Sequence, residues 1–114
     1  SPTTVVSING PHAKHPILTG INPDSFEAKS HLYKNKTLSS HVKVLLNGTL
    51  KGRDEINEPV AWINTVNGSR VFYTSLGSTG DFTLHGFQRL LLNGVLWVLD
   101  KPIPPDDPRV IVHK

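Results

Sequence analysis

The chain predicts an α/β domain, β-rich, with an antiparallel hairpin and a long C-terminal helix. Three local patterns carry this. Val60 to Val66 and Arg70 to Leu76 are apolar, β-branched runs flanking Asn67-Gly68, a pair suited to the type I′ turn because both central residues must take positive φ. His41 to Leu50 alternates, with Val42, Val44 and Leu46 set against His41, Lys43 and Leu45, as a strand with one buried face does. Phe87, Leu90, Leu91, Gly94, Val95 and Val98 fall at spacings of three and four, which makes one apolar stripe on a helix.

The remaining elements follow in order. Thr3 to Ile8 is a short β-branched run closed by Asn9-Gly10-Pro11, hence a strand ending in a turn. Pro16 and Gly20 bracket a single helical turn. Ser30 to Lys34, after Phe26-Glu27-Ala28-Lys29, reads as a short strand leading into an irregular turn. Asn47-Gly48 marks a turn or bulge, and the charged stretch Lys51 to Asn57 reads as a mobile loop. Asp81 or Thr83 is placed to cap the last helix, and Pro102 to stop it, with Lys101 at the negative end of its dipole. Gly94 costs about 1 kcal/mol relative to alanine inside a helix, so its presence predicts a close approach to a neighbouring strand. From Pro102 to Lys114, prolines and paired aspartates describe a linker or tail.

Composition bounds what the chain can do. Its 114 residues are one domain or part of one, and 37% hydrophobic with 18% charged residues is ordinary for a globular protein. The absence of cysteine excludes disulfides, thiolate metal sites and a cysteine nucleophile within the chain. A formal charge of +3 is spread over scattered lysines and arginines, so neither nucleic acid nor a membrane is an expected partner. The apolar stretch Leu90 to Leu99 is interrupted by Asn93 and Gly94 and falls short of the roughly 20 residues of a spanning helix. The opening Ser1-Pro2 has neither initiator methionine nor leader pattern, and no compartment is readable from it.

Several segments together resemble the ThuA-like, trehalose-utilisation family. They are His15-Pro16-Ile17-Leu18-Thr19-Gly20-Ile21, Glu58 to Trp62, Arg70 to Gly77, Asp81-Phe82, and Phe87 to Trp97 with its Phe-Gln-Arg-Leu-Leu-x-Asn-Gly-x-x-Trp order. The resemblance implies a flavodoxin-like sandwich of the class I glutamine amidotransferase type, of which residues 1–101 correspond to the C-terminal half and 102–114 to the tail. It also implies carbohydrate utilisation, and an incomplete pocket that self-associates or pairs with the missing N-terminal half. Where many members have Gly-His, this chain has Gly77-Ser78, so one imidazole expected from the resemblance is missing.

The candidate sugar-binding residues are His15, Tyr33, Ser78, Thr79 and Asp81. His15 stands on a loop ahead of proline, where its ring either faces a pocket or bonds the turn. Ser78, Thr79 and Asp81 leave a strand and enter a helix, where open α/β sheets place ligands, though loop and cap roles are the stronger reading for them. Tyr33 is a stacking or hydroxyl-donating residue. Trp62 and Trp97 sit among apolar neighbours and read as core. The six histidines show no metal-binding spacing, and no glycine-rich nucleotide motif or nucleophile elbow occurs, so neither metal nor cofactor is expected and no catalytic residue is assigned. Asn35, Asn47 and Asn67 head glycosylation triplets, which turn chemistry explains as well. The function expected is binding of a small sugar such as trehalose; the alternative is a non-catalytic interaction module of a larger protein.

Overall fold

The computed structural model of the chain describes residues 3–21, 26–28, 32, 41–78, 80–81 and 84–105, with the backbone alone at Asp54. Five strands, β1 (Thr4–Ile8), β2 (Phe26–Ala28), β3 (Lys43–Leu50), β4 (Arg53–Val66) and β5 (Ser69–Thr74), form one sheet in the order β2-β1-β3-β4-β5. Each described pairing is antiparallel. Two 3-10 turns, Gly10–His12 and Pro16–Leu18, follow β1, and one helix, α1 (His85–Val98), ends the domain. The α/β class, the hairpin and the C-terminal helix are as the sequence predicts.

The β4–β5 hairpin turns on Asn67 and Gly68, both at positive φ (50° and 82°), the geometry a type I′ turn requires. Its register sets Ile63 opposite Phe72 and Trp62 opposite Tyr73. Successive side chains point to opposite faces, so Ile63 and Phe72 lie toward the helix while Trp62 and Tyr73 stack on the other face, with ring centroids 4.2 Å apart. Gly94 explains the helix placement. A Cβ there would stand 2.6 Å from the Phe72 ring, so only glycine lets α1 lie this close to β5.

Strand β4 corrects the loop expected at Lys51 to Asn57. Lys51-Gly52 alone makes the reversal, with Gly52 at φ +84°, and the chain runs back in pairing with β3 from Arg53 onward. The charged residues are accommodated because the register jumps between Thr49 and Leu50, bowing residues 54–56 out of the ladder, where Arg53 Nε bonds Glu55 at 2.7 Å. Two further shifts occur at Val44/Leu46 and Leu46/Asn47. Their effect is visible in burial: adjacent Leu45 and Leu46 are both fully buried, as are adjacent Val60 and Ala61. Simple alternation through His41 to Leu50 is therefore broken in the middle, and Asn47-Gly48 lies inside the bulged strand, not in a turn.

The short strand expected at Ser30 to Lys34 falls mostly outside the described residues; the observed one is Phe26–Ala28, just upstream. The expected cap is also corrected. Helix α1 begins at His85 with Leu84 at the N-cap and no side-chain cap bond, because a turn closed by Asp81 N–H to Ser78 O and Leu84 N–H to Asp81 O comes first. Thr83 lies outside the described residues. At the other end the helix stops before Pro102: Asp100 adopts φ +56°, with Lys101 N–H bonded to Leu96 O at 2.8 Å and Asp100 N–H to Trp97 O at 3.1 Å, a Schellman turn.

The core joins Val6, Leu45, Leu46, Val60, Ala61 and Ile63 of the sheet to Ile17, Leu18, Ile21, Leu76, Phe87 and Leu90. Each of these side chains larger than alanine stabilises the fold by about 1.5–3 kcal/mol through apolar burial. The buried side of α1 is not the one expected. Phe87, Leu90 and Gly94 face inward together with Arg89 and Asn93, while Val95 (56% exposed) and Val98 (40%) join Leu92 and Leu99 on an open flank.

Candidate functional site

His15 is placed by the 3-10 turn that follows it. Proline at the first position presets the backbone, His15 itself is extended (φ −61°, ψ 139°), and its Nδ1 accepts the Ile17 N–H at 3.1 Å. A nitrogen that accepts carries no proton, so the ring is held as the tautomer with hydrogen on Nε2. Ile17 and Leu18 anchor the turn in the core.

Helix α1 then locks the turn from behind. Asn93 Nδ2 donates to Ile17 O at 2.7 Å and to Thr19 O at 2.8 Å. Arg89, 7% exposed, donates to Thr19 O through Nε (3.2 Å) and Nη2 (3.0 Å), and through Nη2 to Pro104 O at 2.8 Å. Gly20 completes the lock. Its φ is +78°, and a Cβ there would meet Arg89 Nε at 2.7 Å. The distinctive residues of His15–Gly20 and of Arg89–Asn93 thus hold each other, and the Pro102–Pro105 segment is tied to the domain at Pro104.

On the solvent side of this lock lies a cleft of about 280 Å³ lined by His15, His41, Lys43, Ile63, Asn64, Thr65 and Trp97. Its size is near the lower end of small-molecule pockets, about 300 Å³. Trp97 is half-buried rather than core: its ring meets His15 edge-on, with centroids 5.4 Å apart and planes at 65°, and the Arg70 guanidinium lies 4.8 Å from its centroid. Arg70 also donates to Trp97 O at 2.8 Å. The indole separates the cleft from a second one, about 370 Å³, lined by Pro16, Thr19, Arg70, Asp100, Lys101, Pro102 and Ile103.

The electrostatics keep His15 neutral. Loss of hydration pulls its pKa below the ordinary 6.5, and the positive charges of Lys43, His12 and Arg70 add to the effect. His12 is fixed nearby, its Nδ1 donating to Val44 O at 2.9 Å. Near neutral pH the site therefore offers an imidazole N–H donor, an ammonium, an amide and a hydroxyl beside an aromatic wall. Among the described residues, no group of three or more histidine, aspartate or glutamate side chains is placed to hold a metal.

The other residues singled out in the sequence lie elsewhere. Ser78 and Asp81 are not among the described residues lining the His15 cleft. Asp81 is fully buried and its Oδ2 accepts the N–H groups of Gly77 (3.0 Å) and Ser78 (3.3 Å), so it shapes the loop before α1. Tyr33 and Thr79 lie outside the described residues. Lys43 and Arg70 went unnoticed in the sequence as site residues, and Trp97, read there as core instead of a sugar platform, packs on the core and walls the cleft. Lys43 alternates out of β3 like any surface lysine, and Trp97 has the helical spacing of a core residue.

No curated protein matches the chain. A family model does, that of ThuA, described as trehalose utilisation, over residues 2–98. That span takes in the His15 turn, the whole sheet and helix α1, and the chain belongs to the ThuA family.

Proposed function

We propose that this domain binds a small sugar in carbohydrate utilisation, trehalose or a relative of it, with the ligand seated in the cleft between His15 and Trp97. The carrying observation is the convergence of a neutral, oriented His15, Lys43, Asn64 and Thr65 on a half-buried tryptophan edge. Sugars present hydroxyls around an apolar ring face, and recognition needs both fixed hydrogen-bonding groups and an aromatic wall. The family's association with trehalose utilisation supports the same reading. Ser78, Thr79 and Tyr33 belong to the proposal as secondary positions, and Asp81 enters it by shaping the loop that carries Ser78. Calorimetric titration with trehalose and sucrose tests it: binding lost in His15→Gln and weakened less in Ser78→Ala or Tyr33→Ala supports it, and no heat with any sugar contradicts it.

We further propose that the antiparallel sheet is the C-terminal part of a flavodoxin-like, glutamine amidotransferase-like sandwich that pairs with an N-terminal half. The outer edge of β5 and the adjoining flank of Leu92, Val95, Val98 and Leu99 support this, being apolar and exposed beside one another. The same flank favours the second reading, an interaction module. Added N-terminal half that leaves the amide exchange of β5 unchanged would count against the pairing.

A further inference from the structure

The charge of the cleft comes from Lys43: His15 is held neutral, and no carboxylate appears among the described lining residues. The ion pairs among the described residues, Lys51–Glu27 (3.1 Å), Arg53–Glu55 (2.7 Å) and Arg70–Asp100 (3.4 Å), leave Lys43 out. The neighbouring cleft across Trp97 provides the contrast, since there Arg70 has Asp100 beside it. A lysine on the wall of a cleft with no described carboxylate beside it raises the potential inside and favours a ligand of the opposite sign.

Shape narrows the ligand further. Ile63 and Trp97 give the cleft an apolar wall beside Lys43. We propose that the sugar this cleft takes is anionic, a ring bearing one carboxylate or phosphate group, with the anion between Lys43 and the Nε2 side of His15 and the ring against Trp97. This rests on the sugar-binding reading above. The groups acting on His15 are Lys43 from β3, His12 from the first 3-10 turn and Arg70 from β5; His41 shares the cleft, and Asp100 partly offsets Arg70. An anion bound among them raises the His15 pKa, and by linkage binding strengthens as pH falls.

Isothermal titration of the full chain with glucose, glucuronate, glucose 6-phosphate and inorganic phosphate, in the wild type and in Lys43→Gln, tests the proposal, with the His15 ring followed by NMR. Either anionic sugar should bind about fivefold tighter than glucose, the gain of one partly exposed charge pair, and Lys43→Gln should remove the difference. The His15 pKa should rise on binding in the wild type. Glucose binding as tightly as both anionic sugars overturns the charge preference and leaves the sugar reading standing. Inorganic phosphate binding as tightly as glucose 6-phosphate, or no binding by any of the four, overturns the anionic-sugar proposal, and the trehalose and sucrose titration decides the sugar reading separately.

Discussion

The two sides of the His15–Gly20 segment behave as opposites. Toward helix α1 it is clamped by Arg89 and Asn93, its carbonyls saturated and Gly20 pressed on the guanidinium. Toward solvent it presents one imidazole to a cleft whose other polar walls are His41, a lysine, an amide and a hydroxyl. The lesson is that the residues with the most distinctive pattern build architecture, while those that line the cleft are unremarkable in sequence. A family match over residues 2–98 therefore speaks for the fold more directly than for the chemistry.

Breaking the clamped side should have the largest effects. Gly94→Val would drive a branched side chain into Phe72, already 2.6 Å from a bare Cβ, and overpacking of this kind costs about 1–3 kcal/mol or prevents folding. Arg89→Met should lower stability by about 2–3 kcal/mol in denaturant unfolding, since it leaves Thr19 O and Pro104 O without their charged donor. The same substitution should release Pro104, detectable as faster proteolysis of the tail.

His15 belongs to both sides and sharpens the comparison. His15→Gln should cost about 1 kcal/mol through the lost bond to Ile17 N–H. Its pH signature follows from the lowered pKa. The folded state resists the proton that the unfolded chain takes up below about 6.5, so the stability from neutral His15 is complete above that pH. It is lost as pH falls through the folded-state pKa. Thermal melts from pH 8 to pH 5 should show a decline that His15→Gln flattens; an unchanged profile would separate His15 from the clamp.

On the open side, Lys43→Gln should leave stability within about 0.5 kcal/mol of wild type while weakening ligand binding. The smallest effect belongs to Asp100→Gly. Relief of the positive φ and loss of the exposed Arg70 pair, worth about 0–1 kcal/mol, nearly offset each other.

The same division explains what was legible in the sequence. The hairpin was readable because Asn67-Gly68 encodes its turn within two residues, and the close approach at Gly94 because a mid-helix glycine demands a reason. The long β4 was not, since Lys51-Gly52 reverses the chain with little signal and the bowed charged residues mimic a loop. Bulges hid the burial pattern of β3 by turning Leu45 and Leu46 inward together. On α1 the apolar stripe was visible but its inward side was not, because Arg89 and Asn93 satisfy carbonyls that only the folded turn brings near. Trp97 read as core instead of a cleft wall for the same reason: its neighbours His15 and Arg70 are distant in sequence.

The chain's two tryptophans permit a direct test of the site. Trp97 walls the cleft, while Trp62 stacks on Tyr73 on the opposite face of the sheet. Following both indole N–H signals by NMR during titration with trehalose and glucuronate should move Trp97, together with His15, and leave Trp62 in place. Movement of Trp62 alone, or of neither at saturating sugar, would contradict a sugar site between His15 and Trp97.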